Sequence, residues 1–240
     1  MIKMKIGGFE KYSFIDYPGF ISSVIFTRGC NFHCPYCHNP ELVNPDNSTS
    51  SDKIPTLNEI LSFLEKRKKY IEGVVITGGE PTLHPDLPGL CYEIKKRGFF
   101  LKIDTNGSFP GLISDLLNKG LVDYVAMDIK TDPNRYAPVI SSGINPADIR
   151  KSIKLILDSG LPHEFRTTCI KPVVDLKAFR SIAKIVKGAF LYALQKPRIT
   201  CNAKILNLSF FDQNMFSVDD LEFEAFQSIL SPSVASCVIR

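Results

Sequence analysis

Apolar, β-branched runs recur along this chain behind glycines, and the glycines follow segments of helical periodicity. Gly98, Gly120, Gly160 and Gly188 stand at or just before "FFLKIDT" (99–105), "LVDYVAMDI" (121–129), "HEFRTTCI" (163–170) and "AFLYAL" (189–194). Two earlier runs, "FISSVIFT" (20–27) and "GVVIT" (73–77), have the same character. Each of the four glycines suits the left-handed conformation that closes a helix. Helix starts are marked as well. Thr56 and Glu59 have the spacing of a capping box, and Asn145 before Pro146 reads as an N-cap with proline at the first helical position. Ile149, Ile153 and Ile156 then share one helical face. Near the end, "SVDDLEFEAFQSIL" (217–230) is an acid-started amphipathic pattern, and "ASCVIR" can add a final strand. Strands alternating with helices demand crossover connections, and so parallel pairing. Six strand candidates predict an α/β fold, a partial (β/α)6 TIM-like barrel, with a flat doubly wound sheet as the alternative that periodicity leaves open.

The 240 residues fit a single domain, 1–240, with a core over about residues 20–200, an N-terminal extension over 1–19 and a C-terminal extension over 201–240. The polar stretch 44–55 reads as a surface loop rather than a boundary. A net charge of +4 and a single basic run, "EKRKKY" (65–70), which suits the wet face of a helix, argue against a nucleic-acid partner. No apolar stretch is long enough to span a bilayer, and "MIKMKIGGFEKYSF" lacks a signal-peptide core, so a cytoplasmic location without membrane partners is expected. Thiols stay reduced there, and an odd count of seven cysteines argues against a complete disulfide framework.

Three of the seven, Cys30, Cys34 and Cys37, fall within eight residues just after the first strand candidate. Three thiolates on one loop can converge on a metal centre. Iron–sulfur clusters usually take four cysteines, so three would leave one iron with an open position, as an open zinc site does. The alternatives are a closed Cys3His zinc site using His33 or His38, unliganded buried cysteines, or a distant fourth ligand among Cys91, Cys169, Cys201 and Cys237 that would make a closed electron carrier. Polar groups end the next strands. "VVITGGEP" (74–81) brings Gly78, Gly79 and Glu80; "KIDTNGS" (102–108) brings Asp104, Thr105 and Asn106; "AMDIK" (126–130) brings Asp128 and Lys130. In β/α barrels the carboxyl ends of the strands carry the active site, so these motifs are expected on one rim. The plainer roles are turn chemistry for Asp104 and Asn106, an ion pair for Asp128 and Lys130, and a helix-start charge for Glu80.

C-x3-C-x2-C with an aromatic before the last cysteine (Tyr36), followed by a strand and Gly-Gly-Glu, resembles the radical S-adenosylmethionine (SAM) superfamily. "SFIDYPG" (13–19), "CNFHCPYCHNPELV" (30–43) and "EFRTT" (164–168) are similar to activating proteins of anaerobic ribonucleoside-triphosphate reductases, within the wider group like the pyruvate formate-lyase-activating enzyme. The resemblance covers roughly residues 5–200. No cysteine lies between Asn39 and Leu90, which disfavours relatives carrying a ferredoxin-like insert. The resemblance implies a radical SAM oxidoreductase with one [4Fe-4S] cluster on Cys30, Cys34 and Cys37 and SAM chelated at the open iron. Gly78 and Gly79 would let backbone approach the methionine part, and Glu80 would accept from its ammonium. Asp104, Thr105, Asp128 and Lys130 would line the SAM site, with a monovalent cation near Asp104 and Asp128. Arg166 is a candidate carboxylate clamp, Gln195 a weaker contact for the ribose, and His38 could tune the cluster by a hydrogen bond. The implied partners are a glycyl-radical enzyme, foremost an anaerobic ribonucleotide reductase, and flavodoxin or ferredoxin as reductant. Pyruvate formate-lyase, another peptide or a small molecule is the alternative substrate. A zinc or iron–sulfur binding module for electron transfer is the alternative of another class.

Overall fold

The computed structural model describes residues 2–44, 54–197, 207, 209–212 and 217–240. Cys201 and most of the polar stretch 44–55 lie outside the described residues. Two compact units divide the chain: Met1–Asn31, Glu41–Thr105 and Gly111–Val125 in one, Phe32–Pro40, Asn106–Pro110 and Ala126–Arg240 in the other.

The elements in chain order are β1 (Ile6–Ser13), β2 (Ser22–Thr27), α1 (Pro40–Val43), α2 (Leu57–Arg67), β3 (Gly73–Gly78), α3 (Leu87–Lys96), β4 (Phe100–Thr105), α4 (Pro110–Asn118), β5 (Tyr124–Asp128), α5 (Pro146–Asp158), β6 (His163–Thr168), α6 (Leu176–Ile185), β7 (Leu191–Gln195), α7 (Ser209–Asp212), α8 (Asp220–Leu230) and β8 (Cys237–Ile239). Strand order follows chain order. All six expected strands form, and the alternation of strand and helix from β2 to β7 is the expected one.

In the first unit β2, β3 and β4 pair in parallel, with Ser22 opposite Gly73 and Gly73 opposite Phe100. Val24, Ile25, Val74, Val75, Ile76, Leu101 and Ile103 are buried, as strands covered on both faces require. The capping box at Thr56 is formed: Glu59 N–H donates to the Thr56 hydroxyl at 3.3 Å, and Thr56 N–H donates to Glu59 at 2.7 Å. One strand is additional to the expected set. β1 lies within the expected N-terminal extension and pairs antiparallel with β2. Its sequence, "IGGFEKYS", holds two glycines and no clean alternation, and backbone pairing to an edge supplies what its side chains do not.

In the second unit β6, β7 and β8 pair in parallel. β8 is the expected final strand. Asn145 caps α5 through Ala147 N–H at 3.0 Å, and Ile149, Ile153 and Ile156 are buried. Asp219 caps α8 in a second capping box, and Phe226 of α8 packs on Phe179 of α6 with centroids 4.3 Å apart. Gly98, Gly120, Gly160 and Gly188 all close their segments with φ between +61° and +92°. Among the described residues no helix is long and apolar enough to cross a membrane.

Candidate active site

In the first unit the chain leaves β2 at Thr27 and reaches Cys30 within three residues. Backbone bonds fix this arm: Gly29 N–H donates to Leu42 at 2.7 Å and Cys30 N–H to Val43 at 3.0 Å. The end of β3 is tied to the same arm. Gly79 N–H donates to the Thr27 carbonyl at 2.9 Å, and Glu80 N–H to the Gly29 carbonyl at 2.8 Å. Gly78 has φ +116°, and a Cβ there would overlap the Thr27 backbone; a Cβ at Gly79 would overlap the Gly29 carbonyl. The glycine pair is therefore required by packing against the cysteine arm, a demand invisible in the sequence.

Glu80 is 1% exposed. Its Oε1 accepts from Thr82 N–H at 3.0 Å, from the Thr105 hydroxyl at 2.7 Å and from the Thr82 hydroxyl. It caps the short 3-10 turn Pro81–Leu83. The helix-start role is thus realised, and Thr105 at the end of β4 is locked to the same carboxylate. Asp104 accepts from Lys102 at 2.6 Å. Lys102, 2% exposed, escaped sequence reasoning. The available signal was a lysine inside an apolar strand, two residues from Asp104 and therefore on its face.

In the second unit Cys34 and Cys37 bracket a turn in which Cys37 N–H donates to the Cys34 carbonyl at 3.0 Å. Burial pushes the Cys34 thiol up to about 11, while the Lys130 ammonium pulls it back. Tyr36 is buried and its hydroxyl has no hydrogen-bond partner among the described residues. Burial raises its pKa well above the usual value. Cys37 is half-buried and His38 exposed. Asn106 makes a turn bond, accepting from Ser108 N–H at 3.0 Å and the Ser108 hydroxyl at 2.6 Å.

Asp128, ending β5, accepts from Arg166 Nε at 2.7 Å and from Lys130 Nζ at 2.9 Å. Burial alone would raise its carboxyl, but the two cations win and hold it well below the carboxylate range. Lys130 is the mirror case: burial lowers it, Asp128 more than compensates, and the ammonium is held well above its ordinary value. Lys130 N–H donates to the Tyr136 hydroxyl at 3.0 Å. Arg166 stands 3.7 Å from Glu164, which also accepts from Arg240 at 2.9 Å. Arg166, half-buried in β6, thus has the partners that a charged strand residue withdrawn from water needs. Gln195 ends β7, where its carbonyl accepts from Cys169 N–H at 2.9 Å. Cys91 and Cys169 are fully buried, with burial pushing the Cys91 thiol up to about 12; both pack as small apolar groups.

Among the described residues no three His, Cys, Asp or Glu side chains form a group that could hold a single metal ion. Residues 30–37 supply three soft thiols and the His33 imidazole, with no carboxylate, and the three thiols fit an iron–sulfur group.

The radical SAM superfamily model matches residues 24–184. A Methanocaldococcus jannaschii protein, provisionally named a glycyl-radical enzyme activating enzyme, is 36% identical over 200 residues, covering 81% of this chain and 80% of its own. The pyruvate formate-lyase-activating enzyme of Clostridium pasteurianum is 31% identical over 198 residues, covering 78% of each chain. Among solved structures, Streptococcus suis SuiB bound to S-adenosylmethionine superposes with a TM-score of 0.61 at 13% identity, over 88% of this chain and 48% of that one. TYW1 with a lysine–pyruvate adduct gives 0.59 at 16%, over 89% and 74%. These two likenesses concern the fold, the partial barrel of radical SAM enzymes. The chain belongs to the radical SAM superfamily, in its family of glycyl-radical enzyme activating enzymes. It is an enzyme, and the superfamily's cofactors are a [4Fe-4S] cluster and SAM.

Proposed function

We propose that this chain binds one [4Fe-4S] cluster through Cys30, Cys34 and Cys37, binds SAM beside it, and installs a glycyl radical on an anaerobic ribonucleoside-triphosphate reductase. One observation supports this reading above others: the Gly-Gly-Glu turn hangs by two backbone bonds from Thr27 and Gly29, directly before the first cysteine. When bound, the two cofactors supply a one-electron reductive cleavage that yields a hydrogen-abstracting carbon radical. The chain's residues do the positioning. Gly78 and Gly79 present backbone without side-chain bulk. Glu80, Asp104 and Thr105 offer acceptors at the ends of β3 and β4 for the ammonium and hydroxyl groups of SAM. Lys130 and Arg166, already oriented by Asp128, offer cations for its carboxylate. Tyr36 supplies a buried aromatic face, and Asn106 shapes the turn after β4. His38 tunes the cluster from the loop. No proton transfer is asked of His33, His38, His84 or His163. Flavodoxin or ferredoxin delivers the electron in the cytoplasm.

The similarity to the Clostridium pasteurianum enzyme favours one second reading, pyruvate formate-lyase as the partner. Anaerobic reconstitution tests both. Iron and sulfide should load to one cluster per chain, and dithionite with SAM should yield 5′-deoxyadenosine. A glycyl-radical EPR doublet should then appear on the reductase. A doublet on pyruvate formate-lyase alone would replace the partner, and a loaded, reducible protein that leaves SAM intact would overturn the enzyme reading.

A further inference from the structure

Lys102 places a cation where a strand covered on both faces normally carries an apolar side chain. It is 2% exposed, between the buried Leu101 and Ile103. An ammonium taken out of water is tolerated only when matched by charge and hydrogen bonds. Its match is Asp104, two residues on along the same face of β4, at 2.6 Å. The Tyr124 ring adds a weaker contact, with its centroid 6.0 Å from the ammonium. Asp104 in turn stands beside Thr105, which is locked to Glu80. Lys102 thus sits one layer beneath the carboxyl end of β4 and faces the carboxylate presented there.

We propose that Lys102 is the resident counter-cation of Asp104: it neutralises and orients that carboxylate, so that SAM binding at the end of β4 requires no alkali-metal ion. The inference rests on the reading above, in which Asp104 faces SAM. It departs from the monovalent cation that the family resemblance implies. An alkali ion at Asp104 would meet an ammonium already at hydrogen-bonding distance and be repelled by it. The carboxylate of Asp128, described within the second unit, is likewise matched, by Lys130 and Arg166.

The test compares the reconstituted holoenzyme with its Lys102→Ala and Lys102→Met variants. SAM affinity by calorimetry and the thermal midpoint without SAM are measured in potassium, methylammonium or tetramethylammonium chloride, at a constant ionic strength of about 0.1 M. Wild type should bind SAM equally well, within about twofold, in all three salts. Lys102→Ala should lose about tenfold in tetramethylammonium, equivalent to about 1.4 kcal/mol. Potassium or methylammonium, small enough for the vacated space, should restore most of it and raise the midpoint. Lys102→Met fills the space without charge and should lose as much with no recovery. A wild-type affinity that falls about tenfold without alkali ions overturns the proposal, as does a Lys102→Ala variant that matches wild type in tetramethylammonium. If Lys102→Ala does not fold, wild type and Lys102→Met decide. If the wild-type holoenzyme binds no SAM, the proposed function falls, while the midpoints still report whether a small cation takes the place of the lysine.

Discussion

Replacing Asp128 with asparagine should markedly destabilise the second unit. Its carboxylate holds two cations at once, Arg166 at 2.7 Å and Lys130 at 2.9 Å. Their side chains are only 14% and 15% exposed, against 29% for Asp128 itself. Removing one partner of a buried ion pair costs about 3–5 kcal/mol, because the remaining charge is left uncompensated. The partial exposure of Asp128 argues for the lower end, about 3 kcal/mol. For a chain of this size each kcal/mol moves the midpoint by about 2–4 °C, so Asp128→Asn should melt about 6–12 °C below wild type at neutral pH. The pH dependence has a definite sign. The folded carboxyl titrates below its ordinary 3.8, so its stabilisation is complete above the unfolded value and is lost as pH falls through the folded one. The gap between wild type and variant should therefore stay constant from neutral pH down to about 4 and narrow only in stronger acid. Differential scanning fluorimetry across pH measures both. A shift under about 2 °C at pH 7 would refute the electrostatic reasoning, as would a gap that closes between about pH 7 and 5.

Other substitutions separate packing from chemistry. Gly79→Ala should displace the cysteine arm, since its Cβ meets the Gly29 carbonyl, lowering stability by about 1–3 kcal/mol and iron loading with it. Gly111→Ala in α4 meets nothing within 4 Å and should leave loading unchanged while gaining up to about 1 kcal/mol in thermal unfolding. Thr105→Val removes a donor from the buried Glu80 and should cost about 1–3 kcal/mol by the same measurement. Thr56→Ala breaks the capping box of α2 at about 1 kcal/mol, with no change in SAM cleavage.

Much of the fold was legible because its punctuation is local. A glycine at a helix end, a capping box or an N-cap with its following proline each act within a few residues, and each is formed as read. β1 escaped because its stability comes from backbone pairing with β2, to which its own side-chain pattern contributes little. The site was legible as residue types and strand ends, and less so as roles. Gly78 and Gly79 read as room for a ligand; the structure adds a prior demand, the close approach of Thr27 and Gly29, which depends on which stretch of chain passes by. Glu80 and Asn106 both carry the plainer capping and turn bonds. Lys102 was hidden by an apolar context that made the run look like ordinary strand.

The arm that delivers Cys30 is secured by peptide groups at Gly29, Cys30, Gly79 and Glu80. A mooring of this kind is made by the main chain, so proline at position 30 or 80, which lacks an N–H, could not substitute for what those amides hold. Mutational tolerance along this segment should therefore be lowest where a bonded amide and a close backbone approach coincide, as at Gly79, whose Cβ would meet the Gly29 carbonyl.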